Sequence, residues 1–278
     1  MPVWEDVLVL REPGGEDVRV AMAPPYLVFT PVTRTTGVRV APAGGALDTA
    51  GSARHAAQVT LALALSSALI AAVNWAAVWR HAARVEWWTK LLAVAGLIAT
   101  ALSAGAWSSA ADGAGRWLVA ALCLALAGDL ALLGRTARRF LAGVAAFLLG
   151  HLAYVVCFVA LGLPSPTWAW AVVVLLFAML VVTRDVAPAT YRLAGAAVAV
   201  PVALYSLVIA GMLVVAWQTG DALIAAGAAV FVVSDSMIGL SLGRTGFAGP
   251  HGRTHTAVMV SYHVGQALMV AGVLRSIA

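Results

Sequence analysis

Residues 121–162 read ALCLALAGDLALLGRTARRFLAGVAAFLLGHLAYVVCFVALG, and this stretch indicates the fold. It contains parts of two long apolar runs, 116–134 and 139–163, which are separated by a short Arg-rich turn. An α-helix needs about 20 apolar residues to cross the hydrocarbon of a bilayer, so each run is long enough to span it. The runs are continuously apolar rather than alternating, which disfavours the strands of a closed barrel.

The same pattern repeats on both sides of this stretch, from residue 55 to the C-terminus. It predicts an all-α, polytopic membrane bundle of eight transmembrane helices: 57–79, 88–107, 116–134, 139–163, 167–183, 190–216, 220–243 and 254–276. Of the 278 residues, 62% are hydrophobic and 10% are charged, whereas a soluble domain is about half apolar and a quarter charged. This balance excludes a cytosolic enzyme, a disordered chain and a nucleic-acid binder.

Residues 1–52 differ from the rest of the chain. They contain six of the twelve acidic residues and are rich in Pro and Gly. We expect a poorly ordered N-terminal tail over 1–52, followed by the eight-helix domain over 53–278. The segments VWEDVLVL and YLVFTPVT within the tail could form short strands.

The basic residues are distributed unevenly between the loops. Ten of them flank the loops that follow odd-numbered spans, whereas only Arg116 and Arg275 flank the even-numbered loops and the C-terminus. We call these two sides of the membrane the Arg-rich side and the Arg-poor side. The positive-inside rule predicts that the Arg-rich side is cytoplasmic, that both termini lie outside, and that the protein resides in the plasma (inner) membrane. Bases that stand singly or in pairs indicate membrane flanks and no nucleic-acid partner.

Four ionisable residues lie deep inside the spans: Asp129, His151, Asp235 and His263. Placing each of these side chains in hydrocarbon costs a few kcal/mol, so we expect each to have a structural or functional role. At 1.5 Å per residue from the nearest flanking Arg, the two carboxyls lie about 9 and 13 Å deep and the two histidines about 15 and 18 Å. Polar groups from four helices thus share one layer. This predicts a cavity near the centre of the membrane that opens toward the Arg-rich, cytoplasmic leaflet.

Histidine, tyrosine and serine residues inside spans often serve only as packing or hydrogen-bonding groups. The two buried aspartates are harder to explain in that way, so we interpret them as functional. Two Asp and two His could hold a metal by ligand type, but no H-x-x-x-H or C-x-x-C spacing includes these residues. We therefore predict no metal and no cofactor.

Several motifs occur together in this chain. A Gly-Asp pair in one helix precedes the pattern Phe-x-x-Gly-x-x-x-Phe-x-x-x-His-x-x-Tyr in the next. These positions are Gly128, Asp129, Phe140, Gly143, Phe147, His151 and Tyr154. The segments WWTKLLAV with Lys90, LYSLVIAGM with Tyr205, GAAVFVVSDSMIGL with Asp235, and MVSYHVGQALMVAG with Tyr262 and Gln266 accompany them. In this combination the sequence resembles the YhhN family of eight-helix membrane proteins over about residues 57–276.

This resemblance implies a hydrolase that cleaves the vinyl-ether bond of lysoplasmalogen, a lysophospholipid of the bilayer, into a fatty aldehyde and a glycerophospho-base. It implies that Asp129 and Asp235 are catalytic. Enol-ether hydrolysis needs one protonated carboxyl to donate to the vinyl carbon and one carboxylate to stabilise the cation and activate water. The sequence does not assign these two roles. The substrate-binding or orienting residues that we expect are Lys90, facing the lipid phosphate, and Asn74, His151, Tyr154, Tyr205, Ser234, Tyr262, His263 and Gln266.

Two other classes of function remain open from the sequence. The same carboxyls would suit an acid-initiated lipid isomerase or a terpene-type cyclase. A proton-coupled lipid transporter or lipid-binding protein would also use buried Asp residues. The segments AGDLALLG and VSDSMIGL echo each other and place the two aspartates at comparable positions of the third and seventh spans. The oligomeric state is not predicted.

Overall fold

The computed structural model describes residues 7–11, 17–23, 26–29, 44–108, 113–134, 136–164 and 168–278. Within this part of the chain, eight helices are long and apolar enough to cross a membrane. The predicted fold class, an all-α membrane bundle with eight spans, is thereby confirmed. The chain divides into two units, Met1–Thr49 and Ala50–Ala278.

The first unit contains a small antiparallel sheet. Its strands are β1 (Val7–Arg11), β2 (Asp17–Ala23) and β3 (Tyr26–Phe29), paired in the order β1-β2-β3. β3 falls within one of the two segments for which the sequence allows strands, and β1 overlaps the other and extends one residue beyond it, whereas the pattern does not indicate β2. The weak order expected for residues 1–52 stays a prediction.

Nine α-helices make up the described helical part of the chain. Their bounds are α1 Gly44–Trp79, α2 Ala83–Ser103, α3 Ala114–Leu132, α4 Ala137–Ala160, α5 Trp168–Val181, α6 Ala187–Ala194, α7 Ala196–Gln218, α8 Ala222–Thr245 and α9 Gly252–Ile277. A π-helical turn, Val182–Val186, joins α5 to α6, and a 3-10 turn, Gly246–Ala248, follows α8.

The fifth span is longer than the predicted 167–183. α5, the π-helical turn and α6 form one continuous span, Trp170–Ala194. The predicted spans leave 184–189 as a loop, but the helix continues through these residues, and the π-helical turn contains Arg184 and Asp185. The chain breaks instead at Gly195, whose φ of +69° favours glycine, so the sixth span begins later than predicted.

Two helical hairpins, α3–α4 and α8–α9, form the most closely packed parts of the bundle. Glycines permit this proximity: a Cβ on Gly265 would lie 2.9 Å from the carbonyl oxygen of Gly227, and one on Gly143 would lie 2.6 Å from Leu132 Cδ2. α7 packs against α4 and α8, and α2 packs against α3 and α9. α5 packs against α7 at the periphery.

The densest apolar packing lies toward the Arg-poor side. Leu118, Leu122, Phe158 and Met269 are fully buried there, in the first turns of α3 and the last turns of α4 and α9. Asp129 lies at the opposite end of α3, one turn from its C-terminus. The polar layer predicted from the sequence therefore sits below this core, toward the Arg-rich side.

Asp221 joins the start of α8 to the end of α9 on the Arg-poor side. Its Oδ1 accepts hydrogen bonds from the backbone N–H groups of Leu223 and Ile224, at 2.8 and 3.1 Å, and so caps α8. Its Oδ2 lies 2.5 Å from Arg275 Nη2. Partial burial raises the pKa of Asp221, but the hydrogen bonds from Arg275 and from the two amides outweigh burial and hold the pKa below its usual value.

We predict that Asp221→Ala lowers the free energy of unfolding by about 1 kcal/mol through loss of the N-cap. Asp221→Asn keeps a capping oxygen and loses only the charge, so it should cost less. A carboxyl whose pKa is lowered by folding contributes stability above its unfolded value, near 3.8, and loses that contribution as the pH falls through the folded value. The Tm difference between wild type and Asp221→Asn in detergent should therefore shrink below about pH 4. A constant difference across that range would contradict the ionic contribution.

Candidate active site

Asp129 of α3 is held by side chains from two other helices. Lys90 of α2 places Nζ 2.8 Å from Oδ1, and the hydroxyl of Tyr262 on α9 donates to Oδ2 at 2.6 Å. Asp129 is only 1% exposed. Each of its oxygens faces a donor, one of them a cation, so this arrangement favours an ionised carboxylate whose charge is balanced by the ammonium.

Asp235 of α8 has a different set of neighbours. The hydroxyl of Tyr205 on α7 donates to its Oδ2, and Nε2 of His151 on α4 lies 3.8 Å from the same oxygen. Nδ1 of His151 lies 2.5 Å from the carbonyl oxygen of Phe147. A carbonyl only accepts, so Nδ1 carries the proton of the neutral ring and Nε2 is left as an acceptor. This acceptor nitrogen lies beyond hydrogen-bonding distance of Asp235, and it brings no positive charge to the carboxyl.

Both carboxyls line one cavity with a volume of about 400 Å³. Lys90, Tyr205, Ser234 and Tyr262 line it with them, so six of the eleven predicted site residues meet there. Asp129 and Lys90 lie close enough to Asp235 to interact with its charge. The ion pair between Lys90 and Asp129 has no net charge, which suits the high cost of charge in hydrocarbon.

Aromatic rings fix the positions of the hydroxyl donors. The Phe147 ring meets Tyr262 edge-on, with 6.3 Å between centroids, and His151 meets Tyr205 edge-on at 5.2 Å. A Cβ on Gly128 would lie 2.6 Å from the Phe147 ring. The Gly-Asp pair thus has a physical basis, because the glycine admits the ring that packs against the tyrosine bound to the aspartate.

The other five predicted residues lie outside this cavity lining: Asn74, His151, Tyr154, His263 and Gln266. Asn74 donates to the carbonyl oxygen of Glu86 at 2.9 Å and to Thr89 Oγ1 at 3.0 Å, and so ties α1 to α2. Tyr154 donates to Gln266 Oε1 at 3.4 Å, which links α4 to α9. Asn74, Tyr154 and Gln266 therefore stabilise the packing of α1 on α2 and of α4 on α9.

Ser234 and His263 occupy intermediate positions. Ser234 lines the cavity, but its hydroxyl donates to the carbonyl oxygen of Val258 at 3.0 Å. His263 accepts a hydrogen bond from Trp75 Nε1 at 3.1 Å and borders a second cavity of about 620 Å³ between α1, α2 and α9. His263 therefore lies apart from the two carboxyls.

Sequence reasoning missed the apolar wall of the first cavity. Trp170, Val173 and Phe177 of α5 contribute to this wall, together with residues of the π-helical turn. α5 is apolar around its whole circumference, so its periodicity does not reveal which face lines a cavity. Within the described residues, no group of three or more His, Cys, Asp or Glu side chains is arranged to hold a metal ion.

The arrangement supports acid–base chemistry on an apolar substrate. Asp129 is paired with the Lys90 ammonium, whereas Asp235 accepts a hydrogen bond from a tyrosine hydroxyl, and both carboxyls line the same cavity. Carboxyls in unlike environments are typical of sites where one group donates a proton and the other stabilises a cation.

Comparison with known proteins identifies a family. No curated protein and no solved structure matches the chain. Residues 85–273 match the YhhN family. The matched region covers more than half of the chain and contains the whole carboxyl cluster, from Lys90 to Tyr262. The chain therefore belongs to the YhhN family, and at the level of that family it is a lysoplasmalogenase-like multi-pass membrane protein.

Proposed function

We propose that the protein hydrolyses the vinyl-ether bond of lysoplasmalogen and releases a fatty aldehyde and a glycerophospho-base. The observation that carries this proposal is the pair of carboxyls in unlike environments on the wall of one largely apolar cavity. A long-chain enol ether needs proton transfer to carbon, a stabilised cation and water. The two carboxyls can serve these needs separately, one by donating the proton and the other by stabilising the cation.

The first step is protonation of the vinyl carbon that is not bonded to the ether oxygen. Asp235, protonated in the resting enzyme, is the donor in this proposal. The carbon–carbon double bond supplies the electron pair for the new C–H bond, and an oxocarbenium ion forms between the adjacent carbon and the ether oxygen. The Asp129 carboxylate, held by Lys90, faces this cation, and the Tyr205 hydroxyl stabilises the new Asp235 carboxylate.

Water completes the reaction. Its oxygen adds to the oxocarbenium carbon while one of its protons passes to Asp235, which restores the acid. The hemiacetal then breaks its bond to the glycerol oxygen, and the hemiacetal proton passes to that oxygen. One water is consumed and no net proton is gained or lost.

Lys90 takes a different role in this proposal from the phosphate contact expected from the sequence. Its ammonium lies 2.8 Å from Asp129 and is only 13% exposed. An ammonium held there keeps Asp129 ionised and aligned, whereas a phosphate would compete with the carboxylate for it. In keeping with the loop charges, we propose that the carboxyls face the cytoplasmic half of the plasma membrane, with both termini outside.

The direct test uses purified protein in detergent with two substrates of the same head group and chain, lysoplasmalogen and the 1-acyl lysophospholipid. We expect fatty aldehyde from the first and no fatty acid from the second. Aldehyde from neither would contradict the proposal and favour the isomerase, cyclase or transporter alternatives.

We predict that Asp129→Asn and Asp235→Asn each lower kcat about 10²- to 10⁴-fold, because an amide neither donates a proton to carbon nor balances a cation. Asp185→Asn is the matched control, since this aspartate is exposed in the π-helical turn. It should keep wild-type activity. Full activity in both Asp129→Asn and Asp235→Asn would contradict the proposed mechanism.

We also predict that Asp129→Asn destabilises the protein by about 3 kcal/mol, because it leaves Lys90 buried without a counter-charge. The double variant Lys90→Met/Asp129→Asn removes both charges and should recover part of that loss while remaining inactive. Thermal unfolding in detergent measures both effects. A double variant less stable than Asp129→Asn would mean that the pair is not coupled.

Tyr205→Phe and Tyr262→Phe remove the hydroxyls that donate to the two carboxyls. We expect each to lower kcat about 10- to 100-fold with little change in KM, because a hydrogen bond to a charged group is lost without altering the cavity shape. Tyr191→Phe, at a tyrosine that is 62% exposed, is the matched control. Kinetics of Tyr205→Phe equal to those of Tyr191→Phe would remove Tyr205 from the mechanism.

A further inference from the structure

Exposed residues of two helices contribute to the cavity lining. Most of the residues that line it are buried or half-buried, and those that are exposed belong to two helices among the described residues. They are Trp170, Val173 and Phe177 of α5, which are 64%, 54% and 66% exposed, and Ser236 and Leu240 of α8. Exposed faces of spanning helices contact lipid, so the parts of the lining that α5 and α8 contribute border the bilayer.

Two helical stripes face each other across the cavity. On α7 the lining residues recur at helical spacing and form one face, and those on α5 do the same. The α7 stripe is Val202, Tyr205, Ser206, Ile209, Ala210 and Leu213. The α5 stripe is Trp170, Val173, Val174, Phe177, Ala178 and Val181. The space between them is elongated along the membrane normal.

This space extends well beyond the carboxyl cluster. From Tyr205, which contacts Asp235, the α7 stripe continues to Leu213, about 12 Å nearer the Arg-poor side at 1.5 Å per residue. Beyond Ser206 that part of the α7 stripe is entirely apolar, and the facing α5 stripe carries only apolar or aromatic side chains. A polar group of a ligand would be buried against this wall without a hydrogen-bond partner, so the part of the ligand that lies here must be hydrocarbon.

We propose that the α5–α7 space is a slot for the single hydrocarbon chain of the substrate, which enters from the bilayer between α5 and α8. The chain runs from the carboxyl cluster toward the Arg-poor side. Ala210 and Leu213 limit the chain length that fits. This inference rests on the proposed function, because the carboxyls define where the reacting bond lies.

Ala210 is the position where chain length is most easily tested. It is only 4% exposed and lines the slot one turn beyond Ser206. A large side chain there fills the slot above the reacting bond, which leaves room for a short chain and not for a long one. Leu213→Ala would extend the far end and admit a longer chain.

The test compares alkenyl lysolipids of several chain lengths with wild type and Ala210→Phe. We expect Ala210→Phe to lower kcat/KM for long chains at least about tenfold relative to short chains, as overpacking excludes the distal methylenes. Leu204→Phe is the matched control, because Leu204 is 54% exposed on α7 and does not line the cavity. It should keep the wild-type chain-length profile.

A second pair of variants guards against misfolding of Ala210→Phe. Val173→Trp narrows the proposed entrance at an exposed position of α5, and Val172→Trp places the same side chain on the neighbouring exposed position outside the cavity lining. Only Val173→Trp should lower activity and shift the chain-length profile. Equal effects of the two substitutions, or an unchanged profile in Ala210→Phe, would overturn the slot while leaving the hydrolase intact.

Binding of non-cleavable alkyl-ether lysolipids separates the two proposals. Their affinities, measured by competition with a fluorescent lysolipid, should show the same chain-length shift in Ala210→Phe. A shift in binding without aldehyde release from the alkenyl series would support the slot and refute the hydrolysis. Aldehyde release with no chain-length shift in binding or kinetics would refute the slot alone.

Discussion

The ion pair between Lys90 and Asp129 is the interaction on which the site depends. A lone charge at this depth costs several kcal/mol, so each partner makes the other tolerable. The pair joins α2 to α3 with 2.8 Å between the charged atoms, and Tyr262 adds α9 through the second carboxylate oxygen. Three helices thereby hold one carboxylate in a defined position. A carboxylate that stabilises charge at a reacting carbon needs to be positioned in this way.

This pair also constrains the second carboxyl. A further unbalanced negative charge beside Asp129 would be repelled strongly in a medium of low dielectric constant. The neighbours of Asp235 are consistent with a carboxyl that keeps its proton: a tyrosine hydroxyl and the acceptor nitrogen of His151, with no cation in contact among the described residues. The different roles that we propose for the two aspartates therefore follow from the single lysine, which can neutralise only one of them.

Much of this site was predictable from the sequence, and the limits of that prediction have physical causes. Asp129 and Asp235 stand out because charge is rare at membrane depth, and residue counting gives that depth directly. Counting along a helix does not show which face meets which neighbour. Tyr154 and Gln266 were thus grouped with the site, although they bond to each other and line no part of the cavity. α5 carried no signal at all, because an evenly apolar helix has no distinguishable face.

The proposed entry from the bilayer bears on how such a site achieves selectivity. A chain that passes from the bilayer into the α5–α7 slot exchanges one hydrocarbon environment for another, so the hydrophobic effect contributes little to its binding. Discrimination between lipids must then come from shape inside the slot and from the chemistry at the carboxyls. Shape limits the length of the chain, and proton transfer to carbon distinguishes an enol ether from an ester with the same chain. The apolar wall formed by α5 and the polar wall formed by Lys90, Asp129 and Asp235 thus select for different parts of one substrate.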